Sequence, residues 1–452
     1  MKISAKKIGK LLLLLLALAI ITILLTAWYG YRLGETYQSS ANSGEPAPTN
    51  LDDTTLAKQS VLERGAYLVK LGDCMACHTA RGGAPFAGGR IMQSEFGQFL
   101  TPNITPDKLT GIGNWTAEDF WNALHNGKGK DGRLLYPAFP FPNYTHVTRT
   151  DADAMFSYLQ AQAPVAQKNA LHQLDFPYSL RGTLAIWRAL YFKPGVLPTD
   201  AKQSFEWNRG AYLVRGLAHC SACHSSRNSL GANRGSDDFS GGAMVGLLWY
   251  APSLNAQEEL NLSAMKSTDI AQLLQHGVNS TSSVNGPMAE VVKESLQHLT
   301  DQDAQAIASY LRALPQQKQN TPDILDQALA RPSVSKEQMQ DIMLRGETIY
   351  RAQCIDCHGK QGEGKTGIYP ALKGNPSIQM LNISNPVRVI LAGGFSPATK
   401  ANPRPYSMPP FAPFLDDAEV ALVLTYIRNA WGNQGSVIGA SEINPYRTAA
   451  LD

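Results

Sequence analysis

Residues 74–78 read CMACH, residues 220–224 read CSACH and residues 354–358 read CIDCH. These three pentapeptides contain all six cysteines of the chain, so no thiol is left for a disulfide. Ahead of each stands a related hexapeptide: RGAYLV from Arg64, RGAYLV from Arg209 and RGETIY from Arg345. Each predicts a short helix that delivers the cysteines. Behind each comes a proline turn: Pro102-Asn-Ile, Pro252-Ser-Leu and Pro370-Ala-Leu. Each repeat closes on a predicted helix: VTRTDADAMFSYL (147–159), LTDQDAQAIASYL (299–311) and LDDAEVALVLTYI (415–427). Their starts align as Thr148/Asp151, Thr300/Asp303 and Asp416/Glu419. These pairs resemble capping boxes, in which a side-chain oxygen takes an unpaired amide at the helix start. Tyr158, Tyr310 and Tyr426 fall at one helical position and are expected in each core.

Cys-x-x-Cys-His is the attachment signature of c-type haem. The two thiols add to the two haem vinyl groups, and the adjacent histidine can ligate the iron on one face. The spacing predicts three covalently bound haem c. They would be attached through Cys74, Cys77, Cys220, Cys223, Cys354 and Cys357, with His78, His224 and His358 on the iron. A redox dithiol and a zinc site are the rival readings of a lone C-x-x-C. Three copies, each followed by histidine and with no spare cysteine, argue against both. The proline carbonyl behind each motif can accept a hydrogen bond from the histidine's other ring nitrogen, which would set ring orientation and basicity. A plain turn is the alternative.

The chain has 452 residues and a net charge of +3, which gives no electrostatic case for nucleic acid. Its length suits three domains of about 100–150 residues. With 38 glycines, 27 prolines and 44% apolar residues, it reads as short helices joined by tight loops. Lys2, Lys6, Lys7 and Lys10 precede an apolar run from Leu11 to Tyr29. That run is long enough to cross most of a bilayer, which takes about 20 residues. The lysines would hold its start in the cytoplasm. The expectation is a single anchor in the inner membrane, with the haem domains in the periplasm. A cleaved signal peptide would need small residues at A-x-A spacing, and TAWYGYRLGE offers none.

The expected order is an anchor (1–31), a polar linker (32–54), a first domain (55–165), a linker (166–199), a second domain (200–318), a linker (319–337), a third domain (338–435) and a tail (436–452). Residues 176–198, FPYSLRGTLAIWRALYFKPGVLP, are unusually apolar for a linker. They suit packing between the first two domains, contact with the bilayer surface, or contact with a partner subunit. The repeated plan resembles the all-α class I cytochrome c fold, here as three domains in tandem after one N-terminal transmembrane helix.

Low-spin cytochromes commonly take Met or His as the sixth iron ligand. NGPMAEVV offers Met288 ahead of the cap at Thr300, and YSMPPF offers Met408 ahead of Asp416. The same window in the first repeat holds Phe139, in YPAFP, and phenylalanine cannot bind iron. Met155 falls within the final helix and His125 follows a helical run, so both suit structural roles. Met92 and His146 are the alternative donors. Otherwise the first haem is open.

The strings ERGAYLVKLGDCMACHTA, FGQFLTPNITPDKLTGIGNWTAEDFWNAL, AHCSACHSSRNSLGA, GPMAEVV and CIDCHG resemble the three-haem cytochrome c subunits of membrane-bound bacterial dehydrogenases for alcohol, gluconate, sorbitol and fructose. NITPDKLTGIGNWT is far more specific than C-x-x-C-H. The resemblance implies an electron-transfer subunit, not the catalytic one. It would accept electrons from a separate dehydrogenase subunit of flavin, quinoprotein or molybdenum type and pass them to ubiquinone or a respiratory oxidase. YPAFP departs from the YPAMP of the alcohol dehydrogenase group. It is closer to cytochrome subunits that accompany molybdenum hydroxylases acting on aldehydes, nicotinate or isoquinoline. The alternatives are a haem enzyme that reduces peroxide or nitrogen oxides at an open first haem, and a terminal-oxidase subunit.

Overall fold

The computed structural model describes residues 5–34, 60–317 and 334–448. Most of the expected polar linker, most of the second inter-domain linker and the end of the tail lie outside the described residues.

The same helix crossing is built three times. Helix Val61–Leu71 packs on Arg149–Gln160, Phe205–Tyr212 on Asp301–Arg312, and Lys336–Gln353 on Asp417–Asn429. The glycine of each hexapeptide is the crossing point. A Cβ on Gly65 would lie 2.0 Å from the Ala154 carbonyl oxygen, one on Gly210 2.1 Å from that of Ala306, and one on Gly346 2.5 Å from that of Leu422. The aligned tyrosines lie over these glycines, with the Tyr158, Tyr310 and Tyr426 Cβ atoms 2.7–2.8 Å from the same built positions. Only a residue without a side chain lets the two backbones approach so closely.

The helix caps divide two to one. Asp416 and Glu419 form a complete capping box. Thr148 and Thr300 accept the amides of Asp151 and Asp303, but neither carboxylate bends back to its cap. Both carboxylates are engaged elsewhere. Asp151 accepts Arg64 Nε at 2.8 Å and Tyr212 Oη at 2.5 Å. Asp303 accepts Arg209 Nε and Nη2, each at 2.8 Å, and Tyr67 Oη at 2.6 Å. Each arginine therefore bonds within its own repeat, and each tyrosine bonds to the other repeat. The tyrosine oxygens also accept cap amides across the junction, Thr300 N on Tyr67 and Thr148 N on Tyr212, each at 3.3 Å. The junction is reciprocal, like the face of a two-fold dimer. One continuous core runs through it, from Leu68, Val69 and Met155 to Leu213, Val214 and Ile307. The third repeat has its own core around Tyr350, Val420 and Leu424.

The stretch between hexapeptide and first cysteine differs in length. Arg209 to Cys220 is one residue longer than Arg64 to Cys74, and Arg345 to Cys354 is one shorter. The extra residue is absorbed by a π-helical turn, Leu213–Leu217, that continues the second helix. In the third repeat the helix runs through Gln353 straight into Cys354. In the first two, the residue before the first cysteine is left-handed (Asp73 φ 53°, His219 φ 41°), a conformation that Asp and His enter more readily than most residues.

The all-α expectation omits three small antiparallel ribbons: Ile91–Ser94 with Gly97–Leu100 and Gln173–Leu174, Gly242–Met244 with Trp249–Ala251, and Gly394–Phe395 with Ser407–Met408. They pair loops that border the helices.

The N-terminal helix runs Ala5–Arg32, and Gly9–Arg32 is long and apolar enough to cross a membrane. Its end is docked on the first repeat. Ala27 packs with Leu134, Tyr136, Leu184 and Ala185, and a Cβ on Gly30 would lie 1.8 Å from the Ala185 carbonyl oxygen. Ala185 belongs to helix Thr183–Tyr191, within the apolar stretch 176–198. From that helix the fully buried Arg188 donates to the carbonyls of Gly30 (3.0 Å), Leu33 (3.1 Å) and Asn126 (2.5 Å). One guanidinium thus caps two helix ends, where unpaired carbonyls carry partial negative charge. Trp187 Nε1 donates to Leu230 O at 2.9 Å, so the stretch also touches the second repeat.

Candidate functional site

In each motif the cysteines and histidine share one tight turn. The histidine amide donates to the first cysteine's carbonyl: His78 to Cys74 at 2.9 Å, His224 to Cys220 at 2.9 Å and His358 to Cys354 at 3.0 Å. The imidazole then meets the proline carbonyl behind the motif. Nδ1 lies 2.7 Å from Pro102 O in His78, 2.6 Å from Pro252 O in His224 and 3.1 Å from Pro370 O in His358. A carbonyl only accepts, so Nδ1 carries the proton and Nε2 keeps its lone pair. Burial lowers the pKa of all three rings, only partly opposed by the proline bond, so the neutral, ligating form is favoured.

The thiols are not poised as a redox pair. Burial pushes Cys74, Cys77, Cys220 and Cys354 up to about 12, helped by neighbouring negative charge. Reactive dithiols show the opposite shift. Among the described residues, no group of three or more His, Cys, Asp or Glu is placed to hold a metal ion, so the donor set for a zinc site is missing. Two thiols in one turn beside an imidazole with a free Nε2 fit a covalently attached haem.

The loops behind the motifs hold the proline carbonyls in place. In the first repeat, Asn103 follows Pro102. Its side chain accepts from Thr105 N (2.9 Å) and donates to Thr110 Oγ1 (3.1 Å) and Val165 O (2.7 Å). Asp107 accepts from Thr110 N at 2.7 Å and from its hydroxyl at 2.8 Å. These bonds use the polar residues of NITPDKLT. In the second repeat Glu259, buried, accepts from Ser253 N (2.5 Å) and Tyr250 Oη (2.7 Å).

The candidate sixth ligands fall in unlike settings. Met288 is the second residue of helix Pro287–Glu294 and packs on the core that also receives Cys220. The helix is capped by Gly286, whose φ of 57° and 2.5 Å approach to the Trp249 ring admit no side chain. Met408 lies on the strand Ser407–Met408 and packs on the third core, which also receives Cys354. Phe139 packs on the same core as Cys74, with its ring 5.3 Å from Tyr144. His146 is engaged at both nitrogens, by Gly195 O at 2.8 Å and Ser236 Oγ at 2.7 Å, and has no lone pair left to give. Met92 pairs with Phe99 in a ribbon instead of sitting in an open loop. Met155 is fully buried in the core, and His125 stacks on Trp121 with ring centroids 4.4 Å apart.

Further residues touch the motifs without being conspicuous in the sequence. Arg90 donates to Ala76 O, inside CMACH, at 2.6 Å and bridges to Glu290, two residues after Met288 (Nη2 to Oε2, 2.8 Å). Asn143 of the first repeat donates to Ser221 Oγ, inside CSACH, at 2.9 Å. Ser295 of the second repeat donates to Leu71 O, just ahead of CMACH, at 3.1 Å. Each of the first two motifs is thus tied to the other repeat.

The cytochrome c family model matches residues 62–163 and 343–431, spans that carry CMACH and CIDCH. The chain is 35% identical to an alcohol dehydrogenase (quinone) cytochrome c subunit of Gluconobacter oxydans over 87% of its length and 83% of the relative's. It is 36% identical to a gluconate 2-dehydrogenase cytochrome c subunit of Pantoea cypripedii, over 83% of this chain and 87% of that one. A nicotinate dehydrogenase subunit of Pseudomonas putida is 35% identical over 92% of this chain, which spans 35% of that longer protein. The chain belongs to the family of dehydrogenase cytochrome c subunits.

Proposed function

We propose that this chain is a three-haem electron carrier anchored in the inner membrane by its N-terminal helix, with the haem domains in the periplasm. Three class I cytochrome c-like domains span about residues 55–165, 200–318 and 338–435. Electrons arrive from a catalytic dehydrogenase subunit and leave to ubiquinone or another respiratory carrier. The observation that carries this reading is the threefold recurrence of a cysteine pair, an imidazole with a free Nε2 and a proline carbonyl on Nδ1. Haem c, when bound, supplies one-electron exchange between ferric and ferrous iron.

Cys74, Cys77, Cys220, Cys223, Cys354 and Cys357 hold the three groups covalently. His78, His224 and His358 ligate iron. Met288 and Met408 would hold the iron from the other side in the second and third domains. In the first domain Phe139 supplies no donor, and Met92 is the remaining alternative to an open position. The proline carbonyls keep the imidazoles basic and correctly turned. The Arg90–Glu290 and Asn143–Ser221 bonds hold the first two sites at a constant spacing, which one-electron transfer requires. The kinship with alcohol, gluconate and nicotinate dehydrogenase subunits supports a partner that oxidises an alcohol, a sugar, an aldehyde or an N-heterocycle.

The test is to isolate the chain from membranes in mild detergent, identify what accompanies it by mass spectrometry, and add candidate substrates. A co-purifying large subunit whose alcohol, sugar, aldehyde or N-heterocycle substrate reduces the haems supports the reading. A chain that arrives alone and turns over peroxide or nitrogen oxides unaided overturns it.

A further inference from the structure

The apolar stretch 176–198 is only partly covered. Ala185 faces the N-terminal helix at Gly30, and Leu184 and Arg188 are buried. Three large apolar side chains of the stretch stay exposed: Phe176 at 80%, Leu180 at 53% and Leu190 at 59%. Trp28 and Tyr29 are also exposed, on the last turns of the N-terminal helix, against which helix Thr183–Tyr191 packs.

The place of this patch relative to a bilayer follows from the helix it touches. The 24 residues Gly9–Arg32 rise about 36 Å at ~1.5 Å per residue, against a hydrocarbon core of about 30 Å. The last turn, which carries Gly30, therefore stands where hydrocarbon gives way to headgroups. Trp28, Tyr29 and Tyr31 are the residue types that concentrate there. Arg188 ties helix Thr183–Tyr191 to the Gly30 and Leu33 carbonyls of that same turn. The helix cannot move away from the boundary without breaking these buried bonds.

We propose that residues 176–191 lie in the membrane–water interface, with Phe176, Leu180 and Leu190 inserted among the lipid headgroups, so that the first domain rests on the bilayer instead of hanging from a tether. The occupant of the patch is lipid, because helix Thr183–Tyr191 packs on the membrane helix and Arg188 bonds to its last turn. The proposal rests on that helix spanning the bilayer.

The test uses the full-length, haem-loaded chain in phospholipid nanodiscs. With the native thiols consumed as thioethers, a nitroxide attaches only to an introduced cysteine. Labels are placed by Phe176→Cys, Leu180→Cys and Leu190→Cys. Leu109→Cys, at 94% exposed, is the aqueous control, and Leu16→Cys, within the anchor, is the bilayer control. Collision with oxygen, which partitions into lipid, is compared with collision with a water-soluble nickel chelate. The oxygen-to-nickel ratio is expected to be several-fold higher at 176, 180 and 190 than at 109, and below that at 16. Ratios equal to that at 109, with 16 still deep, overturn the interfacial placement alone. Shielding from both reagents at 180 and 190 means a protein surface covers them and overturns it too. A water-accessible label at 16 overturns the spanning reading, and the proposal with it.

Discussion

The junction of the first two repeats and the junction of the second with the third use different parts of the same plan. Between repeats one and two, the hexapeptide tyrosines Tyr67 and Tyr212 cross reciprocally to Asp303 and Asp151, and one core runs through the contact. In the third repeat the tyrosine position holds Thr348 and the aspartate position holds Glu419, which returns to its own cap. The third repeat meets the second through helix Ser384–Ala392, the ribbon strand Trp249–Ala251 and neighbouring loops. Asn385 donates to Tyr250 O (2.8 Å) and accepts from Tyr250 N (2.9 Å), and Lys400 N meets Gln297 Oε1 (3.3 Å). All three repeats keep the glycine. It serves the crossing inside each unit, whereas the tyrosine serves a neighbour and appears only where a neighbour receives it.

The sharpest break of this contrast is at one aligned position. Asp303→Ala strands the buried Arg209, a loss of about 3–5 kcal/mol, whereas Glu419→Ala removes half a capping box and costs below about 1 kcal/mol. Chemical denaturation followed by circular dichroism separates the two, and equal losses would abolish the distinction. Tyr67→Phe and Tyr212→Phe each remove a hydrogen bond to a charged acceptor and are expected to cost about 1.5–3 kcal/mol. The reciprocal geometry predicts near-equal values in parallel melts, and a large inequality would break the symmetry. Gly65→Ala, Gly210→Ala and Gly346→Ala should each cost about 1–3 kcal/mol through forced separation of the helices. The looser 2.5 Å approach makes Gly346 the mildest. At the small end, Arg345→Ala loses only an exposed pair with Asp341, worth about 0.3–0.5 kcal/mol.

Acid should also distinguish the junctions. Burial raises the Asp303 carboxyl, but the Arg209 bonds and the Tyr67 hydroxyl outweigh it and leave it below the usual aspartate value. A depressed folded value adds stability that is complete above the unfolded value, near ~3.9, and is lost as pH falls through the lower folded one. From this group, stability is level at neutral pH and drops in acid. A pH series on Asp303→Asn should lack that part of the drop.

Much of the site was legible because its chemistry is local. Cysteine spacing, the adjacent histidine and a proline turn lie within about one loop of each other, and the Nδ1–proline bonds formed in all three repeats. The cap at Asp416 was legible for the same reason. What escaped depends on distance. Tyr67 bonds a carboxylate 236 positions away, and two identical hexapeptides cannot say that each will reach for the other's aspartate. That long-range competition also explains why Thr148/Asp151 and Thr300/Asp303 are half boxes. The π turn was visible only as one extra residue before Cys220. His146 offered a competent ring at a plausible spacing, and only the fold revealed Gly195 and Ser236 waiting for both nitrogens.

The central claim is that three equivalent attachment turns are all filled. It is tested most directly by a pyridine haemochrome assay, with protein quantified by amino-acid analysis, on the membrane-extracted chain and on variants with both cysteines of one motif changed to alanine. Three haems per chain are predicted, and two in each variant, whichever motif is removed. Fewer than three in the parent chain, or a variant that loses none, would contradict it.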